Sequence, residues 1–256
     1  MTDPTVLVAQ NGPVRTLTLN RPARRNALDL DDRRALLAAL ADAEHDRDCR
    51  AVVLTGAQGV FCAGGDIRSM SQDPELARTR LAVIGDIARA LVHSTKPVVA
   101  AVEGGAFGLG LSLVAASDYV VAAEDARFAA SFAKIGLTAD GGLSWSLAQR
   151  VGPGRAKELI LFADDFTADQ AHRMGLVSEV VPPTEVMDRA VRRAGRLAAA
   201  SPAMVAGTKR IFAQERQDLE SVLAAEVDLQ AELLTGADFA EGRAAFFERR
   251  TPVFTG

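Results

Sequence analysis

Two apolar stretches, each followed by a glycine run, decide how this chain folds: Ala51-Val52-Val53-Leu54-Thr55 leads to Ala63-Gly64-Gly65-Asp66, and Pro97-Val98-Val99-Ala100-Ala101-Val102 leads to Gly108-Leu109-Gly110. The apolar stretches read as buried strands. The second run also opens an apolar helix over 109–117, whose first N–H groups have no partner inside the helix and carry a partial positive charge. Each run can therefore present a backbone N–H at the end of a strand, and two such donors can hold one oxygen that becomes an anion during a reaction. The glycines let an acyl group approach the backbone closely.

Other glycine chemistry fits poorly. The run that begins at Gly108 has Leu113 where a dinucleotide fingerprint needs its third glycine. Gly142-Leu143-Ser144-Trp145-Ser146 ends in the wrong residue for a nucleophile elbow. No P-loop lysine follows a glycine run.

Working outward, residues 6–8 and 14–19 flank Asn11-Gly12-Pro13 as a hairpin, and 29–46 reads as an amphipathic helix with an acidic first turn. Strands are expected near 51–55, 97–102, 119–123 and 176–181. Helices are expected near 75–93, 109–117, 142–150, 153–162 and 167–174. This alternation indicates an α/β fold with mainly parallel strands. From Glu185 the pattern is helical, with a break at Ser201-Pro202. The division read from this is a core over 1–195 and a helical region over 196–256 that packs on the core or joins another subunit.

The chain has 256 residues, 48% hydrophobic and 24% charged, with a net charge of −4. That is enough to bury a full core, and the acidic balance argues against general nucleic-acid binding. The N-terminus lacks the basic and apolar segments of a signal peptide, and no stretch of about 18 apolar residues suits a membrane span. A cytoplasmic protein with no membrane partner is expected. Cys49, Cys62, His45, His93 and His172 show no metal-ligand spacing, so no metal site is expected.

Five motifs in order resemble the crotonase, or enoyl-CoA hydratase/isomerase, superfamily over nearly the whole length. They are Asn20-Arg21-Pro22-Ala23-Arg24-Arg25-Asn26-Ala27-Leu28; Phe61-Cys62-Ala63-Gly64-Gly65-Asp66-Ile67; Lys96-Pro97-Val98-Val99-Ala100-Ala101-Val102-Glu103-Gly104; Gly108 to Leu113 with Ser117-Asp118; and Gly136-Leu137-Thr138-Ala139-Asp140-Gly141-Gly142. The resemblance implies a crotonase-like spiral of ββα turns with a C-terminal helical region, assembled as a homotrimer or hexamer. It places the oxyanion donors at Gly65 and Leu109, around the carbonyl of an acyl-CoA thioester. Coenzyme A would lie beside Arg24 and Ala27, with Ala63, Asp66 and Ile67 in the same binding stretch. Arginine suits its phosphates. Asp66, read alone, caps the following turn. The tail Phe246-Phe247-Glu248-Arg249-Arg250-Thr251-Pro252 resembles one that brings a basic residue toward coenzyme A. No cofactor is implied beyond the coenzyme A that the substrate carries.

Family hydratases use two carboxylates, at the positions of Ser112 and Phe132. Neither residue is an ordinary acid or base. Ser112 would face the pocket or bond to the helix backbone, and Phe132 would make the wall more apolar. The acidic candidate that remains is Asp140, placed as in the single-carboxylate isomerases, where it would serve as base unless it only caps the next helix. The motif pattern is closest to those isomerases. The alternatives are a hydratase with atypical residues and a non-catalytic acyl-CoA binder. Hydrolytic dehalogenation lacks its tryptophan and histidine partners.

Overall fold

The structure is a computed structural model that describes residues 4–70, 72–214 and 218–256. Strands β1 (Val6–Asn11) and β2 (Val14–Leu19) form the expected hairpin, with Asn11 opposite Val14 and Gly12 in the left-handed region at φ 56°. β2 is followed by α1 (Leu30–His45), β3 (Ala51–Gly56), α2 (Pro74–Val92), β4 (Val98–Val102), β5 (Gly105–Phe107), α3 (Leu109–Ala116), β6 (Tyr119–Ala123) and β7 (Arg127–Ala129). Then come α4 (Leu143–Val151), α5 (Pro153–Phe162), β8 (Phe166–Thr167), α6 (Ala168–Arg173), β9 (Glu179–Val181) and α7 (Val186–Ala198).

The larger sheet has the order β1-β2-β3-β4-β6-β9, and every pair after the hairpin is parallel. Parallel strands are covered on both faces, which is why β4 is buried and apolar throughout. α7 covers this sheet at β3, β4 and β6 with Val186, Ala190, Ala194 and Ala198 buried.

A smaller sheet, β5-β7-β8, runs beside it. Two isolated parallel bridges, Cys62 with Ala106 and Leu28 with Gly65, continue it past β5. The spiral is visible here. Each turn gives one strand to the large sheet, one short segment to the small layer, and then a helix: β3, residues 62–65 and α2; β4, β5 and α3; β6, β7 and α4. The two glycine runs are thereby the same part of successive turns, and the small layer lays them side by side.

Two expectations need correction, and one layer of strands was not anticipated. The strand expected at 176–181 begins only at Glu179, because the N–H groups of Leu176 and Val177 both turn back to Ala171 O, at 2.9 and 3.2 Å. The boundary at 195/196 cuts through α7, whose apolar face seals the large sheet, so the separate helical region begins at α8 (Pro202–Phe212). β5, β7 and β8 were not expected: they have only two or three residues each, too few to show alternation.

α9 (Leu219–Leu234) and α10 (Ala237–Glu248) complete the chain. Gly207 of α8 packs on Leu229 of α9, where a Cβ would come within 2.5 Å of Leu229 Cδ1. Arg50 ties the end of the chain to the core through Ala200 O and Phe254 O, both at 2.8 Å. Among the described residues no helix is long and apolar enough to cross a membrane.

Candidate active site

The small layer fixes the two glycine runs. Cys62 N–H donates to Gly105 O at 3.1 Å and Phe107 N–H to Cys62 O at 2.9 Å. Around the candidate donors the neighbouring amides are taken: Gly64 N–H reaches Cys62 Sγ at 3.4 Å, Asp66 N–H reaches Leu28 O at 3.1 Å, and Gly108 N–H reaches Ala129 O at 2.9 Å. The N–H groups of Gly65 and Leu109 donate to no backbone oxygen among the described residues. Leu109 is the first residue of α3, and no side chain caps that helix end.

The glycines are required by close approach. Gly64 (φ 107°) would place a Cβ 2.9 Å from Phe107 O and 3.7 Å from Leu109 N. At Gly110 a Cβ would fall 2.4 Å from Cys62 O. The two free amides are thus held in register by contacts that admit no side chain.

Asp140 lies on the third wall. Gly141 (φ 62°) follows it, and a Cβ there would meet Ser112, Ile84 and Leu109 at 3.0 to 3.1 Å. That contact sets the Asp140 segment against the start of α3. Leu143 N–H and the Ser112 hydroxyl donate to the backbone carbonyl of Asp140, at 3.2 and 2.9 Å. The N-cap of α4 is Gly142, with no side-chain cap, so the Asp140 carboxylate does not cap that helix. Its Oδ1 is buried without a hydrogen-bond partner. Burial raises the Asp140 pKa above the usual carboxylate range, and the nearby Arg33 guanidinium offsets part of that rise.

Ser112, expected to face the pocket or to bond to the helix backbone, is 1% exposed; its hydroxyl lies 3.4 Å from Gly108 O of its own helix and 2.9 Å from Asp140 O, so it also ties the Asp140 segment to α3. Phe132 is buried on the short turn at Ser131–Ile135, and a Cβ at Gly108 would meet its Cζ at 3.9 Å. It places hydrocarbon beside the second glycine run. Arg33 was not anticipated. It is 3% exposed on α1, and a Cβ at Gly65 would lie 2.8 Å from its Nη2. The signal in the sequence was a charged residue three and seven positions before Leu36 and Leu40, on the helix face that those leucines bury.

The expected coenzyme A residues lie on two loops, one before α1 and one after β3, that meet side by side. Arg24 is half-exposed and ion-paired with Asp66, whose other oxygen accepts from Arg68 N–H at 3.1 Å. Asp66 therefore caps the turn at Ile67–Ser69 and anchors Arg24. Arg21 pairs with Asp29 and Asp32 at the start of α1. Ala27 and Ala63 are half-buried beside them, and Ile67 is 59% exposed. Arg250 of the tail is held by Glu241 and Glu248.

Asn26 fastens the loop before α1 to the core. It is fully buried in the left-handed region (φ 56°), its Oδ1 accepts from Arg21 N–H at 2.9 Å, and its Nδ2 donates to Ala57 O and Val60 O at 3.0 and 2.5 Å. Asparagine tolerates that backbone better than most residues. Asn26→Ala leaves three buried groups unsatisfied, so an unfolding loss of at least about 2 kcal/mol is expected. Thermal denaturation checks it.

A spiral of ββα turns that brings two unpaired amides and one buried carboxylate to the same place defines a crotonase-fold protein. The sequence model of the family "Enoyl-CoA hydratase/isomerase" matches residues 9–256. A probable enoyl-CoA hydratase of Rhodobacter capsulatus is 40% identical over 242 residues, 94% of this chain and 93% of the relative. The 1,2-epoxyphenylacetyl-CoA isomerase of Escherichia coli is 36% identical over 250 residues, 95% of each chain. The crystal structure of an enoyl-CoA hydratase from Polaromonas sp. JS666 superposes with a TM-score of 0.93 at 36% identity, covering 97% of this chain and 99% of the other. The chain belongs to the enoyl-CoA hydratase/isomerase family, and it is an enzyme of that family.

Proposed function

We propose that the protein is an enoyl-CoA isomerase with Asp140 as its single acid-base group. One observation carries the reading: Asp140 holds a carboxylate oxygen with no hydrogen-bond partner, on a segment whose next residue, Gly141, packs against Leu109, while the two hydratase positions hold Ser112 and Phe132. Asp140 takes a proton from C2 of a 3-enoyl-CoA. The C–H electron pair passes through the carbonyl carbon to the thioester oxygen, giving a dienolate that the Gly65 and Leu109 amides stabilise. Asp140 then returns the proton at C4, and the double bond moves from C3=C4 to C2=C3. Coenzyme A enters with the substrate along Arg24, Ala27, Ala63 and Ile67, and the reaction needs no further cofactor. The exposed rings of Phe212, Phe246 and Phe247 on the C-terminal helices support assembly into a homotrimer or hexamer.

The hydratase name of the Rhodobacter capsulatus relative favours the second reading, water addition. Product analysis separates the two. With a 3-enoyl-CoA the proposal expects the 2-enoyl-CoA and no 3-hydroxyacyl-CoA. Hydration of a 2-enoyl-CoA as the faster reaction would replace it, and binding without turnover of either would leave an acyl-CoA binder. The raised Asp140 pKa has a further consequence. As a base it works ionised, so kcat/KM is expected to fall on the acid side at a pH above the ordinary aspartate range, as a pH–rate profile would show.

A further inference from the structure

Arg33 is a buried cation beside Gly65 that the proposed reaction does not use. Its Nε is buried with no hydrogen-bond partner, and so is Asp140 Oδ1. The two charges act on each other, yet neither of these atoms is bonded to the other side chain. On its other side Arg33 flanks Gly65: a Cβ on that glycine would lie 2.8 Å from Nη2. An arginine at 3% exposure whose Nε has no partner is costly to bury, and no ion pair among the described residues offsets that cost.

We propose that Arg33 is the buried counter-charge of the reaction, a positioning residue that flanks the oxyanion donor Gly65 and acts through space on Asp140. The inference rests on the isomerase reading. In that reaction the negative charge begins on the Asp140 carboxylate. When the proton moves to Asp140, the electron pair moves to the thioester oxygen between Gly65 and Leu109. Arg33 flanks Gly65 and its charge is felt at Asp140, so it favours the charge before and after the transfer. A closed ion pair with Asp140 would tie up the base, whereas a cation held short of pairing supports both states.

The other charged and titratable groups around Arg33 are accounted for. Asp29, at the start of the same helix, is held by Arg21. Cys62, from the segment that crosses β5, has its thiol pushed up to about 12 by burial and stays neutral. Arg80, from α2, repels Arg33 and is fastened to the hydroxyl and carbonyl of Ser69. Arg33 favours the ionised form of Asp140, against the rise that burial causes.

The test is a pH–rate profile of 3-enoyl-CoA isomerisation for Arg33→Met, Arg33→Gln and Arg33→Lys. Because Arg33 favours the charge both before and after the transfer, the neutral variants are expected to keep kcat on the alkaline plateau within about tenfold. Their acid limb should move to higher pH, because Asp140 loses the charge that favours its ionised form. Arg33→Lys should restore the limb toward its original position. A limb that stays in place in folded Met or Gln protein would overturn the inference, as would a shift that lysine does not reverse. Should Arg33→Met fail to fold, Arg33→Gln, which keeps hydrogen-bonding capacity, decides alone. If Asp140→Asn abolishes turnover while the Arg33 variants keep the wild-type limb, only this inference fails. If Asp140→Asn turns over normally, the isomerase reading fails with it.

Discussion

Asp140→Asn is expected to lower isomerisation of a 3-enoyl-CoA by about 10²- to 10⁴-fold, the usual range for a positioned general base. Acyl-CoA binding should stay within about twofold, since the amide keeps the shape and the oxyanion donors are untouched. The same variant should be more stable than the parent at neutral pH. The Asp140 pKa is raised in the folded protein, so the folded state binds that proton more tightly than the unfolded chain does. Stability from such a group is present below the unfolded pKa and is lost as pH rises through the folded one. At pH 7 the ionised, partly buried carboxylate is a cost that asparagine removes. A higher Tm at pH 7, with an advantage that shrinks below the aspartate range, is the expected outcome. Loss of activity together with lower stability would point to a structural role instead.

Leu109→Pro carries the second large effect. Proline is accepted at the first position of a helix, where its missing N–H removes no intrahelical bond. Leu109 occupies that position in α3. The substitution deletes one oxyanion donor, and in comparable sites the loss of one donor costs about 10²- to 10³-fold in kcat. It also removes a buried leucine side chain, so Leu109→Ala is the matched control: it empties the same space and keeps the amide. Both variants should lose stability, by about 2 to 5 kcal/mol for the alanine. The ratio of their kcat values isolates the donor. Equal activities in the two would remove Leu109 from the oxyanion hole.

Much of this arrangement was legible in the sequence for reasons that are local. A strand buried on both faces is apolar throughout, so β3 and β4 stood out, and the glycines after them marked places where backbone approaches backbone. Gly64 and Gly110 show why no other residue fits, since a Cβ at either would strike a carbonyl oxygen at 2.9 or 2.4 Å. The partners of those glycines were not legible. β5 and the bridges at Cys62 and Leu28 form only when successive turns of the spiral stack, and three-residue strands carry no periodic signature.

The same holds inside the site. Asp140 could be picked out by type and place, but whether it capped α4 depended on the left-handed glycines at 141 and 142, which hand the cap position to Gly142. Ser112 could be placed on the right face of α3, whereas its bond to the Asp140 carbonyl joins residues 28 positions apart. Arg33 was hidden because a charged residue on an apolar helix face looks like a break in the pattern. Only the tertiary structure shows that this face meets Gly65 and that its charge reaches Asp140.

The central claim is that one buried carboxylate carries a proton between two carbons of an acyl thioester while the Gly65 and Leu109 amides hold the charge. A 3-enoyl-CoA labelled with deuterium at C2 tests it most directly, with the position of the label in the product read by mass spectrometry and NMR. The account predicts label at C4 of the 2-enoyl-CoA made by the wild-type protein, and no conversion by Asp140→Asn. Conversion by Asp140→Asn at the wild-type rate, or a wild-type product with the transferred label wholly replaced by solvent protons, would contradict it.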